Sequence, residues 1–105
     1  MKLITKEIEK EIEKKPLYFY EDNDVDVNDA KIIVKFFGSG IWTWWAIEGQ
    51  KLEDGDYQFY GMMIGNEGKE WGYFKLSDLL SIKFQLGLGI ERDMYFSNKT
   101  IKDVI

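Results

Sequence analysis

A chain of 105 residues, 45% hydrophobic and 31% charged, has the size and composition of one folded domain. It contains neither cysteine nor histidine, which excludes disulfides, thiolate zinc sites, Ser–His triads and histidine proton shuttles. The net charge of −5 is concentrated in residues 21–70, where eleven acidic residues face four lysines, and this disfavours direct binding of nucleic acid. The sequence shows neither the apolar run of a signal peptide nor that of a membrane span, so we expect a cytoplasmic protein that uses no cofactor and no membrane.

The first predicted element is an amphipathic helix at residues 3–15. Ile4, Ile8 and Ile12 recur every four residues and form one apolar stripe. Pro16 ends the helix, because a proline disfavours helical geometry in the residue before it. We expect the helix to dock on the rest of the domain through these isoleucines.

The remainder of the chain predicts a meander of antiparallel strands. Apolar, β-branched and aromatic segments mark the strands, and segments rich in Gly, Asp or Asn separate them. The predicted strands are Lys31–Phe37, residues 41–48, Tyr57–Ile64, Trp71–Leu76 and about Gly89–Phe96. A helical turn, Asp78–Ser81 with Ser77 as its cap, precedes the last strand, and Thr100–Ile105 is a tail. The predicted fold class is α+β, with the N-terminal helix packed on a twisted antiparallel β-sheet of four to six strands.

The predicted strand at residues 41–48 is largely apolar on both faces. Simple alternation assigns Ile41, Thr43, Trp45 and Ile47 to one face, and Trp42, Trp44, Ala46 and Glu48 to the other. One face must meet the helix, so the other needs a cover or a partner. Phe36, Phe59 and Phe74 are predicted core residues, whereas at least one of the clustered tryptophans is a candidate interface anchor.

Two acidic segments flank the first two predicted strands. The first contains Asp22, Asp24, Asp26 and Asp29, and the second contains Glu53, Asp54 and Asp56. In an antiparallel pair, the start of the first strand and the end of the second lie at the same end of the sheet. The sequence therefore predicts one acidic patch that attracts a basic protein.

The first acidic segment also has oxygen-bearing side chains at alternating positions, as a calcium-binding loop does. That loop requires Gly at its sixth position and Glu at its twelfth, and Val27 and Ile33 occupy these positions. We therefore expect no metal site.

Paired carboxylates are the one catalytic arrangement that the composition leaves open. Aromatic side chains beside Glu48, Glu70, Glu91 or Asp93 would suit a sugar, with two of these residues as acid and base. The sequence alone does not place any two of them at the required separation, and we expect a protein that is not an enzyme.

Six segments occur in an order that resembles a known family over nearly the whole chain. They are MKLITKE, KIIVKFF, WTWWAIEG, DYQFYG, EWGYFKLSDL and GLGIERDMYF, and the chain is similar to the family called domain of unknown function 2958. The long first helix and the EDNDVDVND loop depart from that family. The resemblance implies no enzymatic activity, and it implies a context of conjugative plasmids, integrative elements and phages, near antirestriction genes.

Three functional hypotheses follow. In the first, the chain is a counter-defence protein, an anti-CRISPR inhibitor that binds a basic surface of a CRISPR effector nuclease. Its site residues are Asp22, Asp24, Asp26, Asp29, Glu53, Asp54 and Asp56, which imitate phosphates, and Trp42 or Trp44, which anchors the contact. The alternatives are a non-catalytic protein-binding module of a mobile element and a carboxylate-only protein that binds or cleaves glycans.

Overall fold

The computed structural model describes residues 2–105 and shows a five-stranded antiparallel sheet with helices on both faces. The strands are β1 (Val34–Gly38), β2 (Trp42–Lys51), β3 (Tyr57–Gly65), β4 (Gly68–Lys75) and β5 (Glu91–Arg92). Their order across the sheet is β4-β3-β2-β1-β5. The helices are α1 (Lys6–Lys14), α2 (Phe19–Asp22), α3 (Leu76–Ser81) and α4 (Ile101–Val104). The predicted α+β class is confirmed, and β1 to β4 form the predicted meander, whereas β5 pairs with β1 at the far edge.

Helix α1 is shorter than the predicted helix because Thr5 caps its start. The Thr5 hydroxyl accepts a hydrogen bond from the Ile8 backbone N–H at 3.2 Å, which satisfies one of the unpaired N–H groups of the first turn. Ile4 therefore precedes the helix, although it is buried as expected. Ile12 is 4% exposed and joins the core, whereas Ile8 is only partly buried. Docking of the helix through its isoleucines is confirmed.

The first face of the sheet, defined by Val34, Phe36, Trp44, Phe59 and Phe74, carries the larger core. Helix α1 contributes Ile12 to this core, and α3 contributes Leu79. Phe36 and Phe59 are fully buried with ring centroids 5.8 Å apart, and Phe59 and Phe74 lie 5.5 Å apart. The three predicted core phenylalanines are thus confirmed.

The second face of the sheet, defined by Trp45, Ile47 and Met62, has its own cover. Tyr20 of α2 and Ile101 of α4 pack against it, and both are buried. The cover is formed by the segment before β1 and by the end of the described chain, which meet where Lys31 bridges Thr100. The chain itself therefore supplies the cover that the apolar strand requires.

A β-bulge in β2 changes the predicted alternation. Ala46 pairs with Gly61 and Glu48 pairs with Tyr60, so Ile47 is an extra residue opposite this step. A Cβ atom on Gly61 would lie 1.8 Å from the Trp45 carbonyl oxygen, and only glycine fits this close approach. Alternation placed Glu48 on the face of Trp44, which is wrong, because the bulge turns it to the second face.

Three segments near the end of the described chain differ from their predictions. The last strand is only Glu91–Arg92, since the Asp93 carboxylate accepts the Tyr95 N–H at 3.0 Å and turns the chain away from β1. Helix α3 begins at Leu76, so Ser77 lies inside it and is not its cap. The predicted tail contains α4, which a reciprocal Thr100–Asp103 capping box starts. Within residues 2–105, no helix is long and apolar enough to cross a membrane.

Candidate functional site

The acidic loop, residues 21–29, is anchored to the second face of the sheet. Its start follows the buried Tyr20, and Val27 near its end packs against the same core. Asp29 forms an ion pair with Lys102 of α4 at 2.8 Å, so this carboxylate is compensated within the chain. Asp22 and Asp24 are exposed and belong to none of the ion pairs within residues 2–105.

Asp26 has a local structural role in this loop. Its carboxylate accepts the Asn28 N–H at 2.9 Å and caps a short helical turn, Val27–Asp29. The residues with calcium-like spacing are therefore used in a turn and in an ion pair. Among residues 2–105, no group of three or more acidic side chains is arranged to hold a metal ion.

The acidic hairpin, residues 52–56, is attached to α3. The Asp56 carboxylate accepts the Ser77 hydroxyl at 2.6 Å and the Ser77 N–H at 3.1 Å. These bonds, with the Ser77 hydroxyl contributing most, hold the pKa of Asp56 below its usual value. Asp56 thus supplies the cap that α3 lacks in its own sequence, while Glu53 and Asp54 remain exposed.

Acidic residues of α1 extend the hairpin's negative charge. Burial raises the pKa of Tyr57, and a hydrogen bond to Glu9 and the charge of Glu13 raise it further. The acidic loop and the acidic hairpin do lie at the same end of the sheet, where β1 begins and β2 ends. They are attached to opposite faces, however, so the structure forms two acidic groups instead of one continuous patch.

Trp42 and Trp44 lie far from this acidic end. Trp42 begins β2 and Lys51, the residue before the hairpin, ends it. Nine residue steps separate the two, about 30 Å in an extended strand. The longest dimension of the molecule is 43 Å. The tryptophans and the acidic residues that the sequence suggested as one site are therefore at opposite ends of the sheet.

The two tryptophans instead line a groove on the first face, which we call the tryptophan groove. Their rings stack with centroids 6.2 Å apart and planes at 17°. Trp44 is 7% exposed and forms the floor, whereas Trp42 is half-buried. The groove measures about 390 Å³, and its other lining residues are Met63, Ile64, Gly65, Asn66, Glu67, Gly68, Lys69 and Glu70.

A second groove lies between α1 and the edge of β1 that β5 leaves uncovered. It measures about 470 Å³, and Lys31, Arg92 and Glu7 are among its lining residues. Lys35 and Asp93, which form an ion pair at 3.4 Å, also line this groove. Because basic and acidic side chains alternate around it, the groove does not favour one sign of ligand charge.

Glu48 is the one charged residue that the structure buries within residues 2–105. It is 3% exposed, and its carboxylate accepts the Tyr18 N–H at 3.0 Å and the Tyr20 N–H at 2.8 Å. Burial raises the pKa of Tyr20 and Tyr60, and the charge of nearby Glu48 raises it further. For Tyr73, burial and a hydrogen bond to Tyr18 raise the pKa more than Glu48 does. Glu48 therefore fixes the chain that leads into α2, a role that the sequence pattern does not indicate.

Of the four carboxylates that would suit a glycan-cleaving pair, only Glu91 and Asp93 are neighbours, and Asp93 is engaged by Lys35. Glu70 lies on β4 and Glu91 on β5, which are opposite edges of the sheet. Four strand spacings separate them, about 19 Å, whereas a glycosidase pair requires roughly 5–10 Å. Glu48 faces the other side of the sheet from Glu70, and Asp93 is bound to Lys35. The geometry does not favour carboxylate-pair catalysis.

Comparison with known proteins identifies a family. A family model described as protein of unknown function (DUF2958) matches residues 3–102, which include all five strands. No curated protein and no solved structure matches the chain.

Proposed function

The chain belongs to the family described as protein of unknown function (DUF2958), and from that premise we propose that it is a counter-defence protein that binds a basic protein surface. A CRISPR effector nuclease is the partner that we propose, since its nucleic-acid channel is basic. In this proposal the chain has no catalytic role. It occupies the surface that guide or target nucleic acid would otherwise contact.

The observation that carries the proposal is the excess of exposed carboxylates at one end of the sheet. After Asp29 is paired with Lys102 and Asp56 is used by Ser77, other acidic side chains remain exposed there. They are Glu21, Asp22 and Asp24 in the acidic loop and Glu53 and Asp54 in the acidic hairpin. None of them belongs to an ion pair within residues 2–105.

Exposed charges of one sign at the edge of an interface accelerate association with a partner of the opposite charge. They also set the salt dependence of binding. A protein that binds nucleic acid presents lysines and arginines spaced to meet phosphates. Carboxylates on two short segments, each held by buried contacts or capping bonds, imitate such phosphates at low entropic cost. Because the two groups lie on opposite faces, we expect this end of the sheet to insert into a cleft with basic walls.

The test is binding of the chain to purified CRISPR effectors, measured by biolayer interferometry at low and high salt. Reversing two charges in the loop, Asp22→Lys with Asp24→Lys, should slow association several-fold and flatten the salt dependence. The matched control is Glu7→Lys with Glu91→Lys, which makes the same change in net charge at exposed sites elsewhere. Equal unfolding midpoints for the three proteins would show that folding is not the cause.

Cleavage assays with the same proteins measure the consequence for the effector. Wild type and control should protect target DNA, and the loop variant should protect it less. Equal slowing by the loop variant and the control would show that net charge, not this end of the sheet, controls the contact. Failure of the wild-type chain to bind any effector would contradict the choice of partner.

A further inference from the structure

The tryptophan groove owes its shape to two rows of residues on the first face of the sheet. In one row, Trp44 pairs with Met63, which pairs with Glu70. In the neighbouring row, Gly65 pairs with Gly68 at the tip of the β3–β4 hairpin. A Cβ on Gly65 would lie 2.2 Å from the Trp42 ring, so the indole lies directly against the hairpin backbone. Two glycines thus leave an open channel beside an aromatic wall.

The charges around this channel are mostly negative. Glu67 is at the hairpin tip and Glu70 is on the groove side of β4; both are exposed, and neither belongs to an ion pair within residues 2–105. Lys69 also lines the groove, but it pairs with Ile64, whose side chain packs on the second face. Since alternate residues of a strand point to opposite faces, the Lys69 side chain leaves β4 on the second face, whereas Glu70 leaves it on the first.

An indole face and two carboxylates favour one kind of occupant. The electron-rich face of tryptophan attracts cations more strongly than that of other aromatic residues. Arginine combines a planar group that stacks on an aromatic ring with donors that bind carboxylates in pairs. A neutral sugar would also stack on the ring, but it would leave both carboxylates without a counter-charge.

We propose that the tryptophan groove binds an arginine side chain of a partner protein. The guanidinium stacks on the accessible part of the half-buried Trp42 indole and donates hydrogen bonds to Glu70 and Glu67, while the Met63 side chain contacts its aliphatic stem. This site lies about 30 Å from the acidic end of the sheet along β2, and it does not depend on the function proposed for that end.

The test uses the capped tripeptide Gly-Arg-Gly as the probe, titrated into ¹⁵N-labelled protein and followed by NMR. The chain has four tryptophans, so the indole N–H signals report separately on the groove and on Trp45 and Trp71. The Trp42 and Trp44 signals should shift with a millimolar dissociation constant, and the other two should stay in place. The same tripeptide with citrulline, which is neutral but similar in shape, should shift them at least several-fold less.

Variants at exposed positions complete the test. Glu67→Gln with Glu70→Gln should weaken binding on the order of fivefold, as the loss of two exposed charge pairs implies. Glu91→Gln, exposed on the opposite edge strand, should bind as wild type does. Equal shifts from the arginine and citrulline peptides would overturn the proposal. So would a shift of the Trp42 signal by cellobiose but not by the arginine peptide, which would assign the groove to a glycan.

Discussion

The buried carboxylate of Glu48 holds the backbone of Tyr20 through a hydrogen bond of 2.8 Å. These residues are 28 positions apart in the chain, and the bond fastens the segment between α1 and α2 onto the middle of the sheet. Tyr18, immediately before α2, has a positive φ of 72°, a backbone conformation that costs free energy in a residue with a side chain. The Tyr18 N–H donates a hydrogen bond to the other Glu48 carboxylate oxygen, and this bond stabilises the positive φ of Tyr18.

Glu48→Gln should therefore destabilise the fold. The amide retains one oxygen, so one of the two N–H donors loses its acceptor in a buried site. We expect the free energy of unfolding to fall by about 2 kcal/mol, as for the loss of one buried hydrogen bond to a charged group. Urea denaturation monitored by circular dichroism measures the change, with the exposed Glu70→Gln as control. A loss below about 0.5 kcal/mol would show that Glu48 does not anchor this segment.

Four of the six tyrosines should titrate at unusually high pH. Burial raises the pKa of Tyr20, Tyr57, Tyr60 and Tyr73, so the folded state binds these protons more tightly than the unfolded state does. Their contribution to stability is complete below the usual tyrosine pKa of about 10, and it is lost as the pH rises through the higher pKa of the folded state. Absorbance at 295 nm should show delayed ionisation in the native protein relative to protein in denaturant. If the native and denatured proteins gave the same titration curve, the four tyrosines would not be buried as described.

The Asp56–Ser77 contact should make stability depend on pH in acid. Because the pKa of Asp56 is lowered, its contribution is complete above the usual aspartate pKa of about 4 and is lost as the pH falls through the folded pKa. Asp56→Ala should lower the free energy of unfolding by about 1 kcal/mol at pH 7, as for the loss of a helix cap. Below about pH 3 the substitution should change it very little, because Asp56 is then protonated. A double-mutant cycle with Ser77→Ala measures the coupling free energy between Asp56 and Ser77. Additive effects of the two substitutions would show that the contact carries no coupling.

Truncating Ile12 to alanine should lower the free energy of unfolding more than the same substitution at Ile8. Ile12 is buried against Gly49 and Phe59, whereas Ile8 is partly exposed. Ile12→Ala should lower the free energy of unfolding by about 2–5 kcal/mol, the range for a large-to-small change in a core. Thermal unfolding of both variants makes the comparison. Equal losses would mean that Ile8 is packed as tightly as Ile12, contrary to its partial exposure.

Most of the fold could be predicted from the sequence because its strands are local and regular. Phe36, Phe59 and Phe74 alternate with residues of the other face, and Gly-rich turns separate consecutive strands, so patterning alone indicates the meander. The two-residue length of β5 could not be predicted. It depends on a side chain, Asp93, that accepts a backbone N–H and competes with the strand ladder.

The candidate site could be predicted only in part, because a site depends on register and face as well as on chain order. Strand order correctly brought the two acidic segments to one end of the sheet. It did not show that packing of Tyr20 and capping by Asp56 attach them to opposite faces. The separation of Trp42 from Lys51 depends on the ten-residue length of β2, which exceeds the predicted strand by three residues beyond Glu48.

The extra residue in β2 has a consequence for comparing members of the family. Upstream of Ile47 the second face takes the odd-numbered residues, and downstream it takes the even-numbered ones, beginning with Glu48. A relative with one residue deleted at this point would keep every apolar segment and would still align well. Its glutamate would still pair with Tyr60 on the second face, because removing the extra residue restores simple alternation after Ala46. A single-residue alignment gap at Ile47 therefore predicts a regular strand in which the glutamate is retained on the second face.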